Sequence, residues 1–207
     1  MQIIDISWPI TAQMTAYKDR SVVQIKPTKT FAQDQAREAI VTLGTHTGTH
    51  VDAPTHFIED GETVDQVSLE KLIGRCRVLD LQNVQGGITR KDLAQHTIIP
   101  GEIILLKTTN SLLSDAQLFD PEFVYLAHSG AQYLVESKIK AVGIDYLGIE
   151  RNQPAHKTHI ELLKHEIPII EGLRLALVDV GIYQFICLPL NMPGLEAAPA
   201  RALLLID

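Results

Sequence analysis

Four side chains able to hold a metal ion or move a proton stand at even positions of one stretch, T-H-T-G-T-H-V-D-A-P-T-H (45–56): His46, His50, Asp52 and His56. With eight histidines in 207 residues, a random eleven-residue window would hold about 0.4 of them, whereas 46–56 holds three. In extended backbone, residues two apart share a face, so the parity predicts one common direction for all four groups. Imidazole nitrogens and carboxylate oxygens bind zinc at about 2.0–2.2 Å. A straight strand would spread the outermost two by about 33 Å, at roughly 3.3 Å for each of ten steps, and no single ion would reach both. The chain must therefore bend. Gly48 permits conformations closed to other residues, while Pro54 fixes its own φ and restricts Ala53. The stretch predicts a strand, a glycine kink, two close ligands at His50 and Asp52, and a proline-directed turn to His56. The hydroxyls of Thr45, Thr47, Thr49 and Thr55 are available to bond nearby backbone or orient ligands. The bland alternative, solvated polar residues on an ordinary edge strand, suits a lone histidine better than this set.

The rest of the chain must supply a frame for these groups. At 207 residues it is most simply one domain, 1–207, with enough sequence to bury a substantial core. Hydrophobic residues make up 45% and charged residues 21%, an ordinary soluble composition. A net charge of −7 argues against nucleic acid or an anionic membrane as partner. The opening residues MQIIDISWPI read as a strand rather than a signal peptide or membrane span, so a cytoplasmic location is expected. Strands are expected in IIDIS (3–7), SVVQIKP (21–27), EAIVTLGTH (38–46), RCRVLDLQ (75–82), EIILLKT (102–108) and AVGID (141–145). IPIIEGLR, LALVDVGIY, YQFICLPL and ARALLLID (167–207) follow as strands and connections. Helices are expected in SLEKLIGR (68–75, Ser68 as N-cap and Gly74 near the end), GGITRKDLAQH (86–96, capped by Thr89), SGAQYLVESK (129–138) and HKTHIELLKHE (156–166). Cys76 and Cys187 fall in apolar runs and read as core thiols. This is a mixed α/β pattern with more strand than helix, without strict β-α alternation or a Gly-rich phosphate loop.

As it stands, H-T-G-T-H-V-D-A-P-T-H resembles the signature of the metal-dependent cyclase-like hydrolases, a family that includes bacterial kynurenine formamidase (arylformamidase) and isatin hydrolase. The match at His46, Gly48, Thr49, His50, Asp52, Pro54 and His56 is complete. Weaker similarity runs through DISWPI (5–10), LLKTT (105–109), VGID (142–145), HIELLKHEIPIIEGL (159–173) and APARALL (198–204). The resemblance implies a swivelling β/β/α type of fold and one or two divalent ions, commonly zinc or manganese. It implies His46, His50, Asp52, His159 and Glu171 as ligands, with Asp52 bridging if two ions bind. It implies His56 as general acid/base, a small-molecule substrate, and a homodimer or larger homo-oligomer. Metal-activated water with a proton-carrying histidine describes hydrolysis of an amide or strained lactam.

Several assignments stay open at this level. His156 lies one helical turn before His159 on nearly the same face and rivals it as a ligand. Glu171 sits in the apolar run IPIIEGL, where an unpartnered carboxylate is seldom buried. Asp145 is a candidate to orient a ligand or to cap the turn after its strand, while His96, His128 and His165 read as structural or surface residues. The family's Pro-Gly-Asp turn and Gly-Gly-Asp-Gly-type loop are replaced here by MTAYKDRS and NMPGLEAAP, both on expected pocket walls. Trp8 and Tyr17 are the nearest aromatic candidates to contact an aryl substrate, against a bland role in packing. Arylformamidase chemistry is the best named expectation. A cyclase or dehydratase, an isatin-hydrolase-like enzyme and a non-catalytic metal-dependent binding protein are the alternatives.

Overall fold

The computed structural model describes residues 1–20 and 23–206, so Ser21 and Val22 of the expected strand 21–27, and Asp207, lie outside the described residues. The chain opens with β1 (Gln2–Asp5), then an exposed hairpin of β2 (Gln24–Lys29) and β3 (Glu38–Thr42) enclosing the single turn α1 (Phe31–Asp34). The histidine-rich stretch supplies β4 (His50–Asp52). β5 (Ile73–Asp80), β6 (Gly87–Ile88), α2 (Arg90–Leu93) and β7 (Ile103–Lys107) follow. Next come β8 (Tyr125–Leu126), α3 (His128–Glu136), β9 (Ala141–Ile144) and α4 (Lys157–Leu163). β10 (Ile169–Glu171), β11 (Gly181–Pro189) and β12 (Ala197–Ile206) complete the chain.

Eight strands form one sheet in the order β1-β12-β11-β5-β7-β9-β10-β4, and β4 also pairs with β12, closing the sheet into a ring with β1 outside it. β5, β7, β9 and β10 are joined by parallel pairings, and β4, β11, β12 and β1 by antiparallel ones. The result is a mixed α/β fold with more strand than helix, as the sequence predicts.

Alternation along the strands sorts the core into two layers. Every residue of β7 is buried, and Ile103 and Leu105 join Val51, Val78, Phe185 and Leu204 inside the ring. Ile104 and Leu106 point the other way, onto Leu134 of α3 and Leu162 of α4. Each such aliphatic side chain contributes about 1.5–3 kcal/mol by leaving water. Cys76 and Cys187 are free and buried inside the ring, and burial pushes the Cys76 thiol up to about 12.

The same alternation decides where the polar groups go. Val51 and Ile170 point into the ring, so His50, Asp52 and Glu171 point out of it, towards the layer that holds α4. Their register is fixed on both sides of β4: Glu171 lies opposite His50 on β10, and Ala197 lies opposite Asp52 on β12. A one-residue slip would turn these groups into the apolar interior.

Two sequence expectations are corrected here. The helix over 68–75 is a single 3-10 turn, Leu69–Lys71, whose Ser68 side chain makes no capping bond. Gly74 does not end a helix; it sits in β5 opposite Phe185, because pairing with β11 rewards an extended backbone more than one isolated turn does. The four-residue parity also fails as one extended face. β3 ends at Thr42, His46 lies in a turn, His56 ends the 3-10 turn Pro54–His56, and strand geometry holds only over His50–Asp52.

The kink is where Gly48 is placed, at φ +61, and it is braced by a second glycine. Gly172, at φ +69, lies so close that a Cβ on it would come 2.3 Å from the Gly48 carbonyl oxygen. The Thr49 hydroxyl donates to the Gly172 carbonyl at 2.6 Å and accepts from Trp8 N–H at 2.7 Å, tying the kink to both flanks. Gly172→Ala is expected to destabilise the protein by about 2–4 kcal/mol through steric overlap and positive-φ strain. Urea denaturation checks this; an unchanged midpoint and slope would mean the two backbones separate freely.

Candidate metal centre

Strand pairing, the glycine kink and α4 bring six of the sequence-predicted groups onto one spot. The potential ligand atoms of His50, Asp52 and Glu171 lie within 4.8 Å of one another, and so do those of His46, Asp52 and His56, with Asp52 common to both sets. His50 Nε2 is 3.4 Å from Asp52 Oδ1 and 3.5 Å from Glu171 Oε2. His46 Nδ1 lies 3.0 Å from Asp52 Oδ1. From α4, buried His159 places Nε2 3.4 Å from Glu171 Oε1 and 3.9 Å from Asp52 Oδ2. His56 completes the group, its ring centroid 4.3 Å from that of His46 and 5.8 Å from that of His159. His156, the rival of His159, is turned outward with 60% of its side chain exposed, and it meets Glu150 rather than Asp52 or Glu171.

Hydrogen bonding leaves the inward atoms free. His50 Nδ1 lies 2.9 Å from the Gly48 carbonyl, which a neutral ring satisfies by donating from Nδ1, so the Nε2 lone pair faces the carboxylates. Among the described residues, His50 Nε2 and both Asp52 oxygens are buried without a hydrogen bond of acceptable geometry. Leaving a buried polar atom unpaired costs about 1–3 kcal/mol, more for a charged one. Three orphaned atoms converging from imidazole and carboxylate are what a divalent cation satisfies, so the donor set fits one.

Electrostatics in the metal-free protein follow from this crowding. Burial opposes charge on His50, but the carboxylates of Asp52 and Glu171 outweigh it and raise the ring to about 10. His159 is raised to about 10 as well, against burial, by Glu150, Glu171 and Asp52. Glu171 falls to about 2, because His159 and His50 overcome burial and the charge of Asp52; Asp52 also lies well below its ordinary value. His56 moves the other way. Burial lowers it, helped by His46 and His159 against Asp52, so it is neutral at pH 7.

A metal ion held by His50 and His159 would bind only their deprotonated rings, so loading at pH 7 would expel their protons. Because their raised values lie above neutrality, affinity should rise with pH across the neutral range. We expect about two protons released per protein at saturation, read by an indicator dye in weak buffer. Binding without proton release would contradict the coupled rings.

The centre opens into a cleft of about 370 Å³ whose walls include Tyr17, Lys18, Phe57, Leu147, Asn152 and Gln153. Tyr17 therefore stands where MTAYKDRS was expected to form a wall. Trp8 does not: it is 2% exposed, packs with Met14 and Tyr146, and donates its indole N–H to the Asp115 carbonyl. Its size and apolar body favoured the core over the cleft. Asp145 is buried too, and accepts bonds from Thr108 and Ser111, so it holds the loop after β7 rather than a histidine of the centre.

Two carboxylates beside the centre had no signal in the sequence. Glu196, in the NMPGLEAAP loop, accepts from the Thr45 hydroxyl at 2.6 Å and lies 3.3 Å from His46 Nε2. Glu150 touches both His156 and His159. Neither has a spacing to the histidines that local sequence would reveal. No helix among the described residues is long and apolar enough to cross a membrane.

Comparison with known proteins matches residues 4–151 to the family model Cyclase. Cyclase-like protein 3 of Oryza sativa subsp. japonica is 38% identical over 183 residues, covering 83% of this chain; the chain spans 66% of that relative's length. The kynurenine formamidase of Bacillus cereus is 32% identical over 165 residues, covering 79% of this chain and 78% of that protein. A solved structure described as a potential metal-dependent hydrolase with cyclase activity superposes with a TM-score of 0.88 at 41% identity, covering 98% of this chain and 96% of the other.

Proposed function

The chain belongs to the Cyclase family, and from that premise we propose that it is a metal-dependent hydrolase of a small amide or lactam, with N-formyl aryl amines as its substrates. His46, His50, Asp52, His159 and Glu171 would hold the metal. Zinc would suit the three imidazoles, with manganese the alternative given two carboxylates, and Asp52 would be the residue shared if two ions were held. A divalent ion held there supplies Lewis acidity, polarising the attacked carbonyl and making water a nucleophile at neutral pH.

The observation that carries this reading is His56, an imidazole at the cleft wall beside an orphaned donor set, its pKa pushed down by burial. Among the described residues its ring has no hydrogen-bond partner, so it is free to take a proton from attacking water and return it to the leaving nitrogen as the C–N bond breaks. A cleft of about 370 Å³ with Tyr17, Phe57 and Leu147 on its walls accepts one aromatic ring beside the reacting carbonyl.

The test is a screen of metal-loaded protein against formanilide, N-formylkynurenine, isatin and simple lactams. Formate should be released from the N-formyl aryl amines, stop on chelation and return with zinc or manganese. Inactivity towards the whole set with metal fully bound would overturn the proposal.

A further inference from the structure

The residue that fixes His159 lies outside the ligand set. Glu150 is 5% exposed, and a carboxylate so buried needs partners. Its Oε2 accepts from the backbone N–H of Thr158 at 3.0 Å and of His159 at 3.2 Å, and faces the His159 ring nitrogen Nδ1 at 3.2 Å. Its Oε1 lies 3.3 Å from Nδ1 of the exposed His156. Thr158 and His159 stand in the first turn of α4, where backbone N–H groups have no acceptor within the helix. One carboxylate oxygen thus holds both the backbone and the ring of the same histidine.

The consequence is a choice between the two ring nitrogens. An ionised carboxylate only accepts, so the ring proton belongs on Nδ1. Once the ring gives up its second proton, Nε2 is the atom left with a lone pair, on the side of Glu171 and Asp52. The connecting loop is also strained, with Asn152 at φ +49, Ala155 at φ +58 and His156 at φ +48. Such backbone persists where surrounding contacts over-determine it, and the bonds from Glu150 to the start of α4 close this loop.

We propose that Glu150 is a positioning residue of the metal centre, selecting the Nδ1–H form of His159, aiming Nε2 at Asp52 and Glu171, and strengthening that ring as a metal ligand. This rests on the reading of His159 as a ligand. His50 is aimed in the same manner by the neutral Gly48 carbonyl; His159 is aimed by a full charge, which increases ring basicity further. The outer nitrogen of His46 also faces a carboxylate, Glu196 at 3.3 Å, but that carboxylate is part-exposed where Glu150 is buried.

The test compares zinc affinity of wild type and Glu150→Gln by chelator competition, with the thermal midpoint of each metal-free protein. Gln keeps an oxygen for the two backbone N–H groups and removes the charge. Zinc binding should weaken by about 10- to 100-fold, with the metal-free midpoint within about 3 °C of wild type. Unchanged affinity would overturn the proposal, and so would a loss confined to the midpoint, which is what a helix cap alone would give. Should the variant fail to fold, ¹⁵N spectra of the histidine rings in zinc-loaded wild type decide: a proton on His159 Nδ1 with zinc on Nε2 supports it, and the reverse overturns it. None of these readouts needs turnover, so zinc bound without hydrolysis would sink the hydrolase reading alone. A wild-type protein that binds no zinc would sink both.

Discussion

Asp52→Ala should strip the protein of its metal. Among the described residues Asp52 belongs to two of the three sets of converging ligand atoms, the third being Glu150, His156 and His159, and both of its oxygens are buried without a hydrogen bond of acceptable geometry. Loss of an outer partner of a metal-bound histidine already weakens binding about 10- to 100-fold. Removal of a charged ligand at the centre should therefore exceed roughly 100-fold. His50→Ala should act in the same direction, because His50 Nε2 stands between Asp52 and Glu171 at 3.4 and 3.5 Å. Metal analysis of each purified variant after dialysis checks this, and full occupancy in both would remove these residues from the ligand set.

His56→Ala should separate binding from chemistry. The His56 ring makes no ion pair or hydrogen bond with Asp52 or Glu171, and it stands at the cleft wall next to them. Metal content should stay at the wild-type level while turnover falls by about 10²–10⁴-fold, the usual contribution of a positioned proton carrier. The pH profile gives a second reading. Burial lowers His56 from its ordinary value near 6.5, and only the neutral ring accepts a proton. Wild-type activity should therefore hold down to below pH 6.5 and fall on further acidification, and that acid limb should vanish in the variant. Hydrolysis at the wild-type rate would exclude His56 from proton transfer.

How far the sequence reaches can be judged from particular residues. β7 was legible because four consecutive apolar residues, Ile103 to Leu106, satisfy two opposite core layers at once. The start of α2 was legible because its cap is local: the Asp92 carboxylate accepts from Thr89 N–H three residues away. The bend of the histidine stretch was legible from reach alone, since Gly48 and Pro54 were the only means of gathering its groups. The parity was a poor guide to backbone, however, because His46 and His56 reach the centre from turns. Gly74 misled for a related reason: a glycine after a short polar-apolar run looks like a helix end, and only pairing with β11 makes it part of a strand.

The hidden part of the centre is long-range. Glu196 meets Thr45 across 151 positions, and the Gly48–Gly172 contact depends on β10 lying beside β4. Glu150 is nearer in sequence to His159, but the strained turn over 152–156 that reverses the chain between them is read only from backbone angles. Trp8 fell into the opposite class, a residue whose type suited two roles and whose burial selects packing.

The most direct test is an anomalous-diffraction map at the zinc edge from crystals of zinc-loaded protein. The expected peak lies about 2.0–2.2 Å from His50 Nε2 and an Asp52 oxygen, with His159 bound through Nε2 and Glu171 in the same shell. Zinc bound stoichiometrically but seated on His156 and Glu150 at the cleft mouth, with no peak against Asp52, would contradict it.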